Sequence, residues 1–81
     1  MEHILVTGGA GYVGSGLLRE LLNENYKVTC VDSLMFGGES LLDIWHNKNF
    51  IFIKCDINDW AEFNKILIEG NFNAVIHLAA I

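Results

Sequence analysis

Residues 6–15 read VTGGAGYVGS. Gly8, Gly9, Gly11 and Gly14 crowd into seven positions directly after an apolar run. Gly9-x-Gly11-x-x-Gly14 is G-x-G-x-x-G, and Thr7 followed by Gly8, Gly11 and Gly14 is T-G-x-x-G-x-x-G. Such spacing serves three purposes. One glycine makes a sharp turn out of a strand, one lets a pyrophosphate approach the backbone, and Gly14 lets a helix pack close to the strand. The N-terminus of that helix offers unbonded N–H groups and a positive dipole end to an anion. An acid answers the glycines. Asp32 stands eighteen residues past Gly14, at the end of the run KVTCV. A carboxylate at that distance accepts hydrogen bonds from adenosine ribose hydroxyls and repels a 2′-phosphate, which favours NAD over NADP. A Walker A loop is excluded, because Gly11-x-x-x-x-Gly16 is followed by Leu17 and not Lys.

These residues need elements to hold them. His3 to Thr7 (HILVT) reads as a buried strand. From Gly11 to Asn23, Val13, Leu17, Leu18, Leu21 and Leu22 recur at helical spacing, and Asn25 is a helix stop. Lys27 to Val31 is a second strand, closed by Asp32. The segment from Ser33 to Asn49 is the least regular, with a short helix expected from Glu39 to Trp45. Phe50 to Lys54 (FIFIK) is a third strand. Asp59-Trp60-Ala61-Glu62 has the form of a capping box for a helix that ends at Gly70. Ala74 to Leu78 (AVIHL) is a fourth strand. Alternating strands and helices imply α/β class: a partial doubly wound parallel sheet with helices on both faces, which suits nearly continuous apolar strands.

Composition narrows the partners. The chain is 52% hydrophobic and carries a formal charge of −5, so a broad basic face for nucleic acid or anionic membrane is not expected. No apolar run approaches a bilayer span of about 20 residues. Cys30 and Cys55 fit no metal spacing and read as reduced core thiols of a cytoplasmic protein. His3 and His46 gather no acids or cysteines, so no metal site is expected. His77 reads as a packed strand histidine, with a place beside a cofactor as the alternative. Trp45 and Trp60 read as helix-packing anchors. Asp59 reads as a helix cap.

Four blocks in order, TGGAGYVGS, VDSL, CDIND and VIHLAA, resemble the extended short-chain dehydrogenase/reductases, and more narrowly the NAD-dependent nucleotide-sugar epimerases and dehydratases. The resemblance covers essentially the whole chain and implies a strand order of 3-2-1-4. It also implies cofactor contacts. Gly8, Gly11 and Gly14, with the main-chain amides of Tyr12 and Val13, match the pyrophosphate loop. Asp32 matches the ribose acid, with Ser33 and Leu34 lining the ribose; Asn is common in the family where Ser33 stands. Asp56 and Ile57 match the pair beside the adenine. Leu78, Ala79 and Ala80 match the strand end over which the nicotinamide side lies. Gly16 departs from the pattern, where a larger residue is frequent.

The family's chemistry uses a Ser or Thr and a Tyr-x-x-x-Lys pair. Here Tyr12 is followed four residues on by Gly16, and Tyr26 by Cys30. Residues 1–81 are therefore expected to be the N-terminal part of an NAD-binding Rossmann domain, with cofactor contacts, no catalytic residue and no turnover of their own. A nucleotide sugar would bind only in a longer parent. The alternatives are a non-catalytic nucleotide-binding module and a truncated, non-functional fragment. The fourth strand would be an unguarded sheet edge, open to self-association.

Overall fold

A computed structural model describes residues 2–8, 12–33 and 41–78, with main chain only at 12 and 13. Four strands form one parallel sheet: β1 (His3–Thr7), β2 (Lys27–Asp32), β3 (Phe50–Lys54) and β4 (Ala74–His77). Their order is β3-β2-β1-β4, as the resemblance implied. Helix α1 (Tyr12–Asn23) links β1 to β2, and α2 (Trp60–Glu69) links β3 to β4.

Strand alternation sorts the core into two clusters. Ile4, Val6, Val28, Cys30 and Phe50 meet Leu18 and Leu22 of α1, together with Leu41 and Ile44. Leu5, Val31 and Cys55 make up the other, covered by Phe63, Ile66 and Leu67 of α2. The helices thus take opposite faces, and the two cysteines lie in different clusters and are not bonded to each other. Expectation holds for β1 and β2, whose interiors are buried on both faces, but not for β3 and β4. Those two flank the centre, and the apolar side chains of Ile51 and Val75 remain exposed.

Local chemistry sets the helix ends. Asn25 adopts φ 68°, the Tyr26 amide donates to the Leu21 carbonyl at 3.1 Å, and the Asn25 amide donates to Leu22 at 3.1 Å. That is a Schellman stop, with Tyr26 and Leu21 both packed on the first cluster. Asp59 caps α2 by accepting the Glu62 amide, while its own amide goes to the Asp56 carbonyl at 2.8 Å. Helix α2 ends at Gly70, but for a different reason than its freedom at positive φ. Gly70 is helical at φ −80°, and the left-handed residue is Asn71 at φ 51°. Glycine suits that position because a Cβ would sit 2.1 Å from the tip of the Phe72 ring, which would have to move, and 2.9 Å from the Ile66 carbonyl.

Three expectations change. Of the helix expected from Glu39, residues 41–46 are a run of turns, with Ile44 bonded back to Leu41 and Asn47 to Ile44; Glu39 and Ser40 lie outside the described residues. Trp45 and Trp60 are not buried anchors. Trp45 is half exposed and leans on Phe52 at 5.6 Å, and Trp60 is 66% exposed, edge-on to Phe63. His77 is exposed rather than packed.

Gly16 faces open space, with nothing within 4 Å of a Cβ placed there. Gly16→Ala therefore adds helix propensity without a clash and is expected to stabilise the protein by about 0.5–1 kcal/mol, read as a denaturant midpoint shift at constant m.

His3 ties the start of β1 to the α2–β4 connection. Its Nε2 lies 2.7 Å from Thr29 Oγ1, its ring meets Phe72 edge-on at 4.6 Å, and its amide donates to Asn73 Oδ1 at 2.8 Å. Burial, then the Lys27 ammonium, push its imidazole below the ordinary range, against the Gly70 carbonyl, which pulls it up. A lowered folded value means the folded state favours neutral His3. Its contribution is present above the unfolded value of about 6.5 and is lost as pH falls through the folded one. Thermal melts from pH 7.5 to 5 are expected to fall more steeply for the parent protein than for His3→Gln.

Candidate functional site

The carboxyl ends of the strands lie along one rim. Thr7, Asp32, Lys54 and His77 close β1 to β4 in turn. Chain order runs outward from β1 to β2 to β3, then returns to the other side of β1 as β4. Crevices outside such a reversal are where open α/β sheets take ligands.

Gly8 sits at this reversal. Its φ is 80°, a left-handed value, while its amide still donates to the Val31 carbonyl at 3.0 Å. The chain leaves the sheet there and enters α1 by Tyr12. The main-chain amides of Tyr12, Val13 and Gly14 open the helix, where amides have no partner within it. Such an amino end, with its macrodipole, favours negative charge. Gly14 is buried, in keeping with close helix–sheet packing.

Asp32 and Ser33 are half-buried at the end of β2, and the Asp32 carbonyl accepts the Cys55 amide at 3.1 Å. Asp56 is exposed, and its Oδ1 accepts the Asn58 amide at 2.9 Å. The Ile57 side chain packs on the second core cluster. Leu78 is exposed, and its amide donates to the Thr7 carbonyl at 2.9 Å. Gly8, Gly14, Asp32, Ser33, Asp56, Ile57 and Leu78 are thus set at or just beyond the carboxyl ends of the strands, whereas Gly11, Leu34, Ala79 and Ala80 lie outside the described residues.

Two polar links escaped the sequence. Arg19 Nε donates to Asp43 Oδ2 at 2.7 Å, its Nη2 donates to Asp43 Oδ1, and its Nη1 donates to the Ser15 carbonyl at 3.0 Å. The guanidinium holds the Asp43 carboxyl below its usual range. No spacing rule links residues 24 apart across a helix and a turn. His77 Nδ1 lies 2.6 Å from Thr7 Oγ1, which only the β1–β4 register reveals. Near the site, burial raises the Cys55 thiol, helped by Glu62, Asp59 and Asp56, so it is a poor nucleophile.

The NAD dependent epimerase/dehydratase family matches residues 4–81, nearly the whole chain. The chain belongs to that family. UDP-arabinose 4-epimerase 1 of Arabidopsis thaliana is 43% identical over all of this chain and 20% of its own length. The dTDP-glucose 4,6-dehydratase of Neisseria gonorrhoeae is 42% identical over 98% of this chain and 24% of its own. This chain thus spans about a fifth to a quarter of these curated relatives. Solved structures agree. The UDP-Glc/GlcNAc 4-epimerase of Campylobacter jejuni superposes with TM-score 0.90 at 30% identity, over 100% of this chain and 25% of that one. The UDP-glucose 4-epimerase of Brucella ovis, solved with NAD, gives 0.83 at 31% identity, over 100% and 23%. This family's epimerases and dehydratases share the Rossmann-like sheet found here. Among the described residues no helix is long and apolar enough to cross a membrane.

Proposed function

We propose that residues 1–81 are the N-terminal part of an NAD-binding Rossmann domain, in an NAD-dependent epimerase or dehydratase acting on nucleotide sugars. The observation that carries this reading is the juxtaposition at the sheet reversal: Gly8 turning at φ 80° into the amino end of α1, one strand from Asp32. The pyrophosphate lies on the amides of Tyr12, Val13 and Gly14, with Gly11 giving it room. Asp32 takes the adenosine ribose, flanked by Ser33 and Leu34. The adenine lies by Asp56 and Ile57, and the nicotinamide side extends over Leu78, Ala79 and Ala80. Relatives solved with NAD support the choice of cofactor.

The 81 residues contain no Tyr-x-x-x-Lys, so the sugar chemistry needs groups that they do not carry. Calorimetric titration with NAD tests the reading directly. Saturable one-site binding is expected, with a melting point that rises with ligand concentration; a well-folded protein that ignores NAD overturns it. With NAD and UDP-, dTDP- or GDP-sugars, these residues alone are expected to give no turnover.

Two further readings go with it. Strand β4 is bonded to β1, and its residues Val75 and Ile76 carry no charge, so its outer edge is a surface for self-association. Sedimentation at rising concentration checks this, and a strict monomer overturns it. Two buried thiols that are not joined fit a cytoplasmic setting.

A further inference from the structure

Arg19 stands on α1 one turn after Ser15, and Asp43 lies in the turns at 41–46, within the connection from β2 to β3. The guanidinium joins the two. Its Nε and Nη2 form a fork on the carboxylate oxygens of Asp43, and its Nη1 donates to the Ser15 carbonyl at 3.0 Å. Ser15 directly follows Gly14, so that carbonyl belongs to the first turn of the helix whose amino end opens at the rim. One side chain thus ties the start of α1 to the chain that leaves β2 through Asp32 and Ser33. The other forces on these turns have little direction. Leu41 is fully buried and Ile44 nearly so, in the cluster that holds Leu18 and Leu22 of α1. The Ile44 and Asn47 amides donate back into the turns themselves, to Leu41 and Ile44. Apolar burial keeps the turns on the helix without setting their height along it. A planar fork on a carboxylate does set it. The Arg19 and Asp43 side chains are 36% and 60% exposed, and a pair so open to water and salt adds little to stability. Its consequence is placement.

We propose that Arg19 and Asp43 are positioning residues for the adenosine half of the dinucleotide: their fork fixes the β2–β3 connection beside the first turns of α1, and with it the spacing between the amino end of that helix and the ribose site at Asp32 and Ser33. This rests on the NAD reading above. Asp32 is still part of the β2 ladder, where it pairs with Lys54. Ser33 is the first residue beyond the strand, so its place depends on how the connection is held. A connection free to slide along α1 shifts the ribose site at its open end, although neither Arg19 nor Asp43 touches the ligand.

The test uses Arg19→Met, Arg19→Lys, Asp43→Ala and the Arg19→Met/Asp43→Ala double variant. Each is titrated with NAD and separately with AMP at low and high salt, with a thermal melt alongside. Arg19→Met and Asp43→Ala are each expected to raise the Kd of NAD and of AMP alike, by about threefold, while the melting point moves by less than about 5 °C. The double variant loses no more than either single one, because both remove the same pair. Lysine keeps the charge without the fork, so Arg19→Lys binds no better than Arg19→Met. The gap between parent and variant narrows at high salt, where the pair is screened in the parent too; taking the ratio cancels the salt response of the ligand itself. An unchanged Kd in Arg19→Met overturns the proposal, as does a lysine that binds as well as arginine. A large fall in melting point with a gap that ignores salt marks a merely structural role and overturns it too. No NAD binding by the unsubstituted protein sinks the nucleotide reading itself and this proposal with it.

Discussion

Asp32→Ala is expected to raise the NAD Kd about ten- to a hundredfold and to bring NADP level with NAD. The size follows from what a carboxylate does there. Hydrogen bonds to charged groups contribute about 1.5–3 kcal/mol each, and every 1.4 kcal/mol is a factor of ten. The carboxylate also repels a 2′-phosphate, so its removal helps NADP while it harms NAD. Lys54 stands opposite Asp32 in register, so the variant leaves a cation at the same rim. The Asp32 backbone carbonyl, which accepts the Cys55 amide, is kept in the variant, and a thermal melt alongside checks that the fold is retained. Parallel titrations of parent and variant with NAD and NADP read the ratio. A ratio that does not move removes Asp32 from the ribose site.

Leu18→Ala is expected to cost about 3–5 kcal/mol and to lower the melting point by roughly 12–40 °C. Leu18 is fully buried at the centre of the cluster that α1 forms with Ile4, Val6, Val28 and Cys30. Truncation leaves a cavity between a helix and two central strands whose main chains are tied by ladder bonds, so the walls cannot close on it. An 81-residue chain has only about 4–12 kcal/mol of total stability at ordinary per-residue values. One such cavity consumes a large share of it. Denaturant melts at constant m measure the loss, and a cost under about 1 kcal/mol would show that α1 is not packed on the sheet as described. The contrast with Gly16 on the same helix is direct: one position is sealed in the core and the other faces open space.

Much of this was legible in the residues because its causes are local. Leucines at helical spacing mark the buried face of α1, and Asn25 stops it by tolerating φ 68°. Asp59 caps α2 through an amide three residues on. Gly8 takes its left-handed turn at the head of the glycine motif. What misled was burial. Trp45, Trp60 and His77 are bulky or strand-borne residues that read as packed, yet each sits on an outer element that leaves it exposed. Hydrophobicity says that a side chain gains by being covered; it does not say whether a neighbour is present to cover it.

The sequence by itself determined the order of strands and helices, the glycine turn and the acid that answers it, because each depends on backbone freedom, alternation or charge within a few residues. Only the tertiary structure decided which residues from distant parts of the chain meet. It put Cys30 and Cys55 on opposite faces of the sheet, joined Arg19 to Asp43, and brought His77 to the hydroxyl of Thr7 seventy residues away. The physical reason is register. Once β4 aligns with β1 at Thr7, every side chain along the pair is assigned a face and a partner, and no spacing along the chain encodes that alignment.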